Sequence, residues 1–210
     1  MEMASTAAPY FGKSADRAAD AIGLPYKNIS FLTSDGITLR GWFFPAASAN
    51  SPAILYAPAT AKDQRSGLSL VMPLHKAGFG VLLFSYRGHG RSDGNPIGFS
   101  YGARESLDVD AAASYLRDVQ GATAVGAIGH SAGAVAIILS AARNPKIDVV
   151  VAASPFTSVE QIWTTNKPTL MPTSIYDLMM RTSEVRKDFT RNQVRPVDVI
   201  DRISPRPILI

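Results

Sequence analysis

The spacing of apolar and polar positions changes near residue 50 of the chain. Residues 29–32 and 37–42 are strand-like runs on either side of Ser34-Asp35-Gly36, where the glycine can supply the positive φ of a turn. They predict an antiparallel β-hairpin. Further along, helix-like segments separate short apolar runs, at residues 53–57, 81–84, 124–128, 149–153 and 206–210. Strands that alternate with helices predict a mostly parallel sheet with helices on both faces, preceded by the hairpin.

Helical segments are predicted at residues 13–21, 68–76 and 103–119, and again after the apolar run that ends at residue 128. In the third segment, Leu107, Ala111 and Tyr115 form one apolar stripe. The last segment contains no charge between Gly133 and Arg143, and Asn144-Pro145 ends it. Because it is apolar on all faces, we expect this helix to be buried at the centre of the domain.

Residues 157–204 interrupt the alternation of strands and helices. They contain Trp163, methionines at 171, 179 and 180, and prolines at 168, 172 and 196, without a convincing strand. One interpretation is a helical lid over the carboxyl edge of the sheet, because insertions at that edge often contact substrates. The other is a surface excursion with ordinary core methionines. The sequence leaves both open.

The length and composition indicate one domain. A chain of 210 residues with 46% hydrophobic content can bury one sizeable core, so a single domain over residues 1–210 is expected. No apolar segment is long enough to cross a bilayer, and residues 1–9 lack the pattern of a signal peptide. We therefore expect a cytoplasmic protein. The absence of cysteine excludes disulfides and a thiol nucleophile.

The distribution of charge argues against a nucleic-acid partner. The net charge is +4, but the basic residues are scattered. The densest group of basic residues is interspersed with Glu184 and Asp188 at helical spacings, as on a solvated helix face. This group consists of Arg181, Arg186, Lys187, Arg191 and Arg195. His75, His89 and His130 lie in separate segments without metal-ligand spacing, so we expect neither a metal nor a cofactor.

The sequence motif that carries chemistry is the pentapeptide Gly129-His130-Ser131-Ala132-Gly133. It has the G-x-S-x-G pattern of a nucleophile elbow, in which a strand turns sharply into a helix and exposes a serine hydroxyl above the sheet. The glycines are required because the chain passes too close to itself for side chains. The neighbouring apolar runs supply the strand and the helix that the motif needs. An ordinary strand-turn-helix crossover with a structural serine is the alternative.

A second motif makes the assignment more specific. Residues 84–92, FSYRGHGRS, are similar to the D-x-R-G-x-G-x-S loop of the α/β-hydrolase superfamily, with Ser85 where aspartate is usual. With the elbow, most of the chain resembles the serine-hydrolase branch of that superfamily, in particular lysophospholipase-like and serine-aminopeptidase-like enzymes. The resemblance implies an α/β-hydrolase fold. Residues 203–210 look like the strand just ahead of the family's catalytic acid.

The resemblance also implies roles for individual residues. Ser131 corresponds to the nucleophile, and the backbone N–H of Ala132 to one donor of the oxyanion hole. The family takes the second donor from the loop after the third strand, normally after a His-Gly pair, where this chain has Pro58-Ala59-Thr60. Thr60 is the preferred candidate and Ala59 the alternative, since proline has no N–H.

The general base is not evident in the sequence. A serine needs a histidine to accept its proton and a carboxylate to orient that histidine, and in this family both follow the strand that here reaches Ile210. We therefore expect the chain to lack the last strand and helix, with the acid and the histidine. The three histidines present are poor substitutes for this base. His130 is expected to point away from the nucleophile, His89 has no carboxylate to orient it, and His75 is expected on the surface. The first carboxylate after the strand at 149–153 is Glu160, predicted inside a helix.

The resemblance thus predicts a serine hydrolase that cleaves a small-molecule ester, thioester or amide through an acyl-serine intermediate. The chain by itself is expected to be almost inactive. A naturally short, non-catalytic hydrolase-fold protein that binds a ligand or partner is the competing hypothesis, and an acyltransferase on the same fold is a third. The strand at the C-terminus is expected to be an unprotected apolar edge that promotes self-association.

Overall fold

The computed structural model describes residues 18–95 and 98–210. The predicted helix at 13–21 lies mostly outside the described residues, of which 18–20 are helical. The centre of the fold is a sheet whose seven described strands are β1 (Lys27–Leu32), β2 (Thr38–Phe44), β3 (Ala53–Ala57), β4 (Gly80–Ser85), β5 (Val125–His130), β6 (Val149–Ala153) and β7 (Ile208–Leu209).

The strand order in the sheet is β1-β2-β4-β3-β5-β6-β7. The strand β2 is antiparallel to both of its neighbours, and the pairs from β4 to β7 are parallel. The predicted hairpin is confirmed: Gly36 at its turn has φ +83°, and its N–H donates to the carbonyl of Thr33. This is the mostly parallel sheet, preceded by an antiparallel hairpin, that the hydrophobic pattern predicted.

Five longer helices connect the strands of the described chain. They are α1 (Leu68–Lys76), α2 (Glu105–Ser114), α3 (Ala132–Ala141), α4 (Val159–Thr165) and α5 (Thr173–Lys187). All ten residues of α3 are buried, which confirms the prediction of a central helix without a solvent-facing side. The helix α2 continues into a π-helical turn, Tyr115–Val119.

The buried face of α2 differs from the predicted stripe. Val109, Ala112 and Ala113 are fully buried, whereas Leu107 and Ala111 are only half-buried. The difference arises because Glu105 and Asp108, near the start of the helix, are buried and accept hydrogen bonds there. Hydrophobic periodicity assigns acidic residues to the solvent side and so rotates the expected face.

Helices cover both faces of the sheet. Val71 of α1 packs with Trp42 and Leu83 on one face. On the other face, Val109 of α2 and Ile137 of α3 belong to one core with alternate residues of the same strands. Because the carboxyl ends of parallel strands meet at one edge, the segments that follow β3, β4 and β5 lie together there.

Residues 157–204 contain no strand, as predicted. They form α4, α5 and three short 3-10 turns, and Trp163, Tyr176 and Met180 pack on Val135 of α3. One part of the prediction for this segment is wrong: Lys187 is buried, with its ammonium over the ring of Tyr101, rather than on a solvated face. Within the described residues, no helix is both long enough and apolar enough to cross a membrane.

Candidate active site

Ser131 lies at the sharp turn between β5 and α3, with φ 53° and ψ −120°. A positive φ is rare for a serine, so the surrounding structure must hold the strained backbone. Two hydrogen bonds do so: the N–H of Ser131 donates to the carbonyl of Ala153 on the neighbouring strand, and its own carbonyl accepts from Val135. The strained turn that the pentapeptide predicts is therefore present at the carboxyl edge of the sheet.

The two glycines of the pentapeptide are required by close backbone contacts. A Cβ on Gly129 would lie 2.6 Å from the carbonyl oxygen of Gly133. A Cβ on Gly133 would lie 2.2 Å from the carbonyl oxygen of Ala57 and 2.5 Å from that of Pro58. The elbow is thus packed against the end of β3 and the start of the loop that follows it.

The first helical residue after the elbow, Ala132, offers its backbone N–H beside Ser131. The N–H groups of the first helical turn have no acceptor inside the helix. They lie at the positive end of the helix dipole, which favours negative charge beside Ser131. Ala132 as a whole is buried at the start of α3.

The loop after β3 contains both candidates for a second donor. Ala59 and Thr60 are half-buried, and neither backbone N–H donates to an acceptor in the described part of the chain. The contact between Gly133 and Pro58 brings this loop to the elbow. Free N–H groups next to the Ser131 turn are what an oxyanion site requires.

The three histidines do not form a hydrogen bond with Ser131 within the described residues. His130 is exposed, and His75 is half-buried near the end of α1. His89 is buried beside Phe99, and its Nδ1 lies 3.0 Å from the carbonyl oxygen of Arg87. Its Nε2 has no hydrogen-bond partner among residues 18–95 and 98–210. Glu160 is exposed in the first turn of α4. The described residues contain no group of histidines and carboxylates able to hold a metal ion.

Arg87, in the loop after β4, links the hairpin to α2. Its guanidinium donates to Asp35 at 2.6 and 3.0 Å and to Asp108 at 2.8 Å, and its backbone N–H also donates to Asp108. Hydrogen bonds from Arg87 hold the pKa of the Asp35 carboxyl well below its usual range. Burial raises the pKa of the Asp108 carboxyl, and the hydrogen bonds and charge of Arg87 oppose this effect. Sequence reasoning missed Asp108, since a lone acid in a helix gives no sign of a distant partner.

Glu105, in the first turn of α2, is a second buried acid that the sequence did not identify. Its carboxylate is buried and accepts hydrogen bonds from the backbone N–H groups of Ser100 and Gly102 and from the Ser100 hydroxyl. Burial lowers the pKa of nearby Lys187, against the attraction of Glu105. The rings of Tyr101 and Trp163 meet edge to face in the same region, so this group joins the 157–204 segment to the start of α2.

Comparison with known proteins agrees with this geometry. A family model described as serine aminopeptidase, S33, matches residues 54–204. The chain belongs to this α/β-hydrolase family. An uncharacterised protein of Mycobacterium tuberculosis is 38% identical to this S33 family member over 150 residues, which cover 69% of the chain and 50% of that protein. The chain spans about half the length of the curated relatives it matches.

Several solved structures have the same fold as this chain. The esterase Pf2001 of Pyrococcus furiosus has a TM-score of 0.66 and 21% identity, with 90% of this chain and 83% of that chain covered. The α/β hydrolase GrgF of Penicillium has a TM-score of 0.67 and 19% identity, with coverage of 88% and 78%. The resemblance inferred from the two motifs is thus confirmed at the level of family and fold.

Proposed function

We propose that Ser131 is the nucleophile of a hydrolase that cleaves an ester, thioester or amide through an acyl-serine intermediate. The observation that carries this proposal is the positive φ of Ser131 at the start of the wholly buried helix α3. A strained serine placed directly between a parallel strand and a buried helix has the backbone of a nucleophile elbow, which exposes the hydroxyl above the sheet. The S33 family membership and the esterase name of the Pyrococcus neighbour support a hydrolase.

In the proposed reaction, Oγ of Ser131 attacks the substrate carbonyl carbon while its proton passes to a base. The carbonyl oxygen becomes an oxyanion, which accepts hydrogen bonds from the N–H groups of Ala132 and of Thr60, or Ala59 in its place. Collapse of the tetrahedral intermediate breaks the bond to the leaving group, which takes up the proton, and leaves acyl-Ser131. Water then attacks the acyl carbon, the bond from that carbon to Oγ breaks, and the carboxylic acid leaves as Oγ takes back a proton.

None of the three histidines is positioned to serve as that base in the described structure. The backbone carbonyl of Arg87 faces Nδ1 of His89, and neither His130 nor His75 forms a hydrogen bond with Ser131 among the described residues. We therefore propose that the chain of 210 residues hydrolyses esters only slowly, because stabilisation of the oxyanion remains while activation of the nucleophile is missing.

We further propose that residues 157–204 form a lid that contributes to the substrate site. The aromatic group of Tyr101, Trp163 and Phe189 holds this segment against Val135, one helical turn from Ser131. Several large apolar side chains of the segment are exposed and could contact an acyl group. These are Leu170, Ile175, Leu178, Met179 and Val185.

A comparison of the parent chain with Ser131→Ala tests the proposal. We expect slow hydrolysis of p-nitrophenyl acetate by the parent that exceeds the rate of Ser131→Ala, with identical circular dichroism spectra. Added imidazole should increase the Ser131-dependent rate, because it supplies the missing base from solution. Equal rates for parent and variant, with and without imidazole, would contradict the role of Ser131. If the parent showed a rate typical of an esterase in the absence of imidazole, the proposal that the base is missing would be contradicted.

A non-catalytic binding protein on the hydrolase fold is the second candidate. It is favoured by one observation: the Ser131 hydroxyl has no hydrogen-bonded histidine in the described structure. The two candidates differ in the effect of imidazole, since a binding protein gives no Ser131-dependent rate under any condition.

A further inference from the structure

The loop that contains Ala59 and Thr60 is fixed at both ends by close contacts. Its start follows β3, where the carbonyl oxygens of Ala57 and Pro58 lie against Gly133 of the elbow. Its end reaches Gln64, the first residue of a short 3-10 helix that packs on the sheet. The proposed second oxyanion donor, the N–H of Thr60 or Ala59, lies between these two contacts. The direction of that N–H therefore depends on both contacts.

The second of these contacts is a buried hydrogen-bonded pair. The hydroxyl of Ser85, the last residue of β4, donates to Oε1 of Gln64 at 2.7 Å and lies 3.4 Å from the Gln64 backbone nitrogen, which donates back to it. Ser85 is fully buried, and Gln64 is 8% exposed. Water therefore does not compete with the pair, and its geometry is well defined.

The loop after β4 packs directly on Ser85. A Cβ on Gly90 would lie 2.5 Å from the Ser85 hydroxyl, so the loop after β4 closes directly over it. The backbone carbonyl of Ser85 accepts a hydrogen bond from Ser92, which connects to the hairpin through Arg40. Ser85 thus contacts the oxyanion loop through its hydroxyl and the hairpin through its carbonyl.

The geometry points to Gln64 and Ser85 as positioning residues for the oxyanion hole, since their hydrogen bonds hold the loop of Ala59 and Thr60 against the elbow. This inference rests on the proposed function of Ser131. Ser85 stands where the resembling family has an aspartate, and in this chain its hydroxyl donates to the side-chain amide oxygen of Gln64. The pair acts through the loop and does not touch the substrate.

Ser131-dependent release of p-nitrophenol measures the effect, taken as the rate of each protein minus that of its Ser131→Ala counterpart. We expect Ser85→Ala and Gln64→Leu each to lower kcat by about tenfold to a hundredfold with KM nearly unchanged, because a displaced donor weakens transition-state binding alone. The double variant should be no slower than either single one, since both remove the same contact. Ser92→Ala is the matched control, because it removes the hydrogen bonds to Ser85 and Arg40 on the hairpin side and should leave kcat unchanged.

Backbone amide relaxation by NMR gives a readout that needs no catalysis. Ser85→Ala should lower the order parameters of Ala59 and Thr60 but not of Ala132. Absence of Ser131-dependent release in the parent would overturn the proposed function together with this inference. Release that persists with unchanged kcat in Ser85→Ala and Gln64→Leu, or unchanged order parameters in the loop, would overturn this inference alone. If Ser92→Ala lost as much kcat as Ser85→Ala, the inference would also be overturned, because the effect would then come from general destabilisation of the fold.

Discussion

The carbonyl oxygen of Ala57 lies so close to Gly133 that a Cβ at position 133 would be 2.2 Å from it. This contact joins the end of β3 to the first turn of α3. It fixes the distance between the Ser131 turn and the loop that carries Ala59 and Thr60. The contact involves backbone atoms, which cannot move aside as a flexible side chain can.

Replacement of Gly133 by alanine should therefore destabilise the protein. We expect a loss of roughly 1–3 kcal/mol or more in the free energy of unfolding, measured by denaturant titration, because the added methyl group overlaps backbone. Gly126→Ala is the control in the adjacent strand β5, where a new Cβ meets only the end of the flexible Ile54 side chain, at 2.5 Å. Equal stability of Gly133→Ala and Gly126→Ala would contradict the tight packing of the elbow.

Arg87→Met should be strongly destabilising. The change removes the partner of fully buried Asp108, and loss of one member of a buried ion pair typically costs roughly 3–5 kcal/mol. Lys146→Met provides the comparison, because its partner Asp118 is exposed and such pairs contribute little. Thermal unfolding of the three proteins checks this. A melting temperature of Arg87→Met as high as that of Lys146→Met would show that Asp108 does not need its partner.

The contribution of Asp35 to stability should depend on pH. Arg87 lowers the pKa of Asp35 in the folded protein below its unfolded value, with Arg104 at 3.6 Å as a second cation. A lowered pKa means that the stabilisation is fully present above about pH 4 and is lost as the pH falls further. Asp35→Asn should thus be less stable than the parent at pH 7, and the difference should shrink towards pH 2. A difference in unfolding free energy that stays constant over this range would be inconsistent with the ion pair.

The exposed strand β7 should promote self-association. It pairs with β6 on one side, and Leu209 and Ile210 are 65% and 68% exposed. An apolar strand at a sheet edge is a template for pairing with another chain. Size-exclusion chromatography should show an apparent mass that rises with concentration for the parent and less so for Leu209→Lys. Leu170→Lys, at an equally apolar exposed site outside the sheet, should behave as the parent does, and a parent that stays monomeric would refute the prediction.

The sequence predicts the fold well because its main signals are local. The apolar run before Ser131 and the uncharged helix after it specify a buried strand and a central helix without knowledge of their partners. The boundaries shift by one or two residues, and the elbow strand extends through His130 rather than ending at residue 128. The hairpin and its Gly36 turn were equally predictable, since turn chemistry depends on neighbouring residues.

Contacts between distant residues could not be predicted in the same way. The burial of Asp108 depends on Arg87 and the burial of Lys187 on Tyr101, and neither partner is adjacent in sequence. The hydrogen bond between Ser85 and Gln64 likewise depends on the sheet order. Ser85 ends β4 and Gln64 follows β3, and these two strands are neighbours in the sheet. The pentapeptide identified the position of Ser131, whereas the supporting residues around it became visible only once the strands were in place.

Acylation of Ser131 can be observed by peptide mass mapping after incubation with p-nitrophenyl acetate. Because no histidine of the described residues is hydrogen-bonded to Ser131 to speed deacylation, acetyl-Ser131 should accumulate and be located by fragment-ion sequencing. Ser154 is an internal control, because it is exposed and also has a positive φ, 52°, at the end of β6, but no helix begins beside it. We expect acetylation of Ser131 and not of Ser154. An unmodified Ser131, or equal modification of both serines, would contradict it.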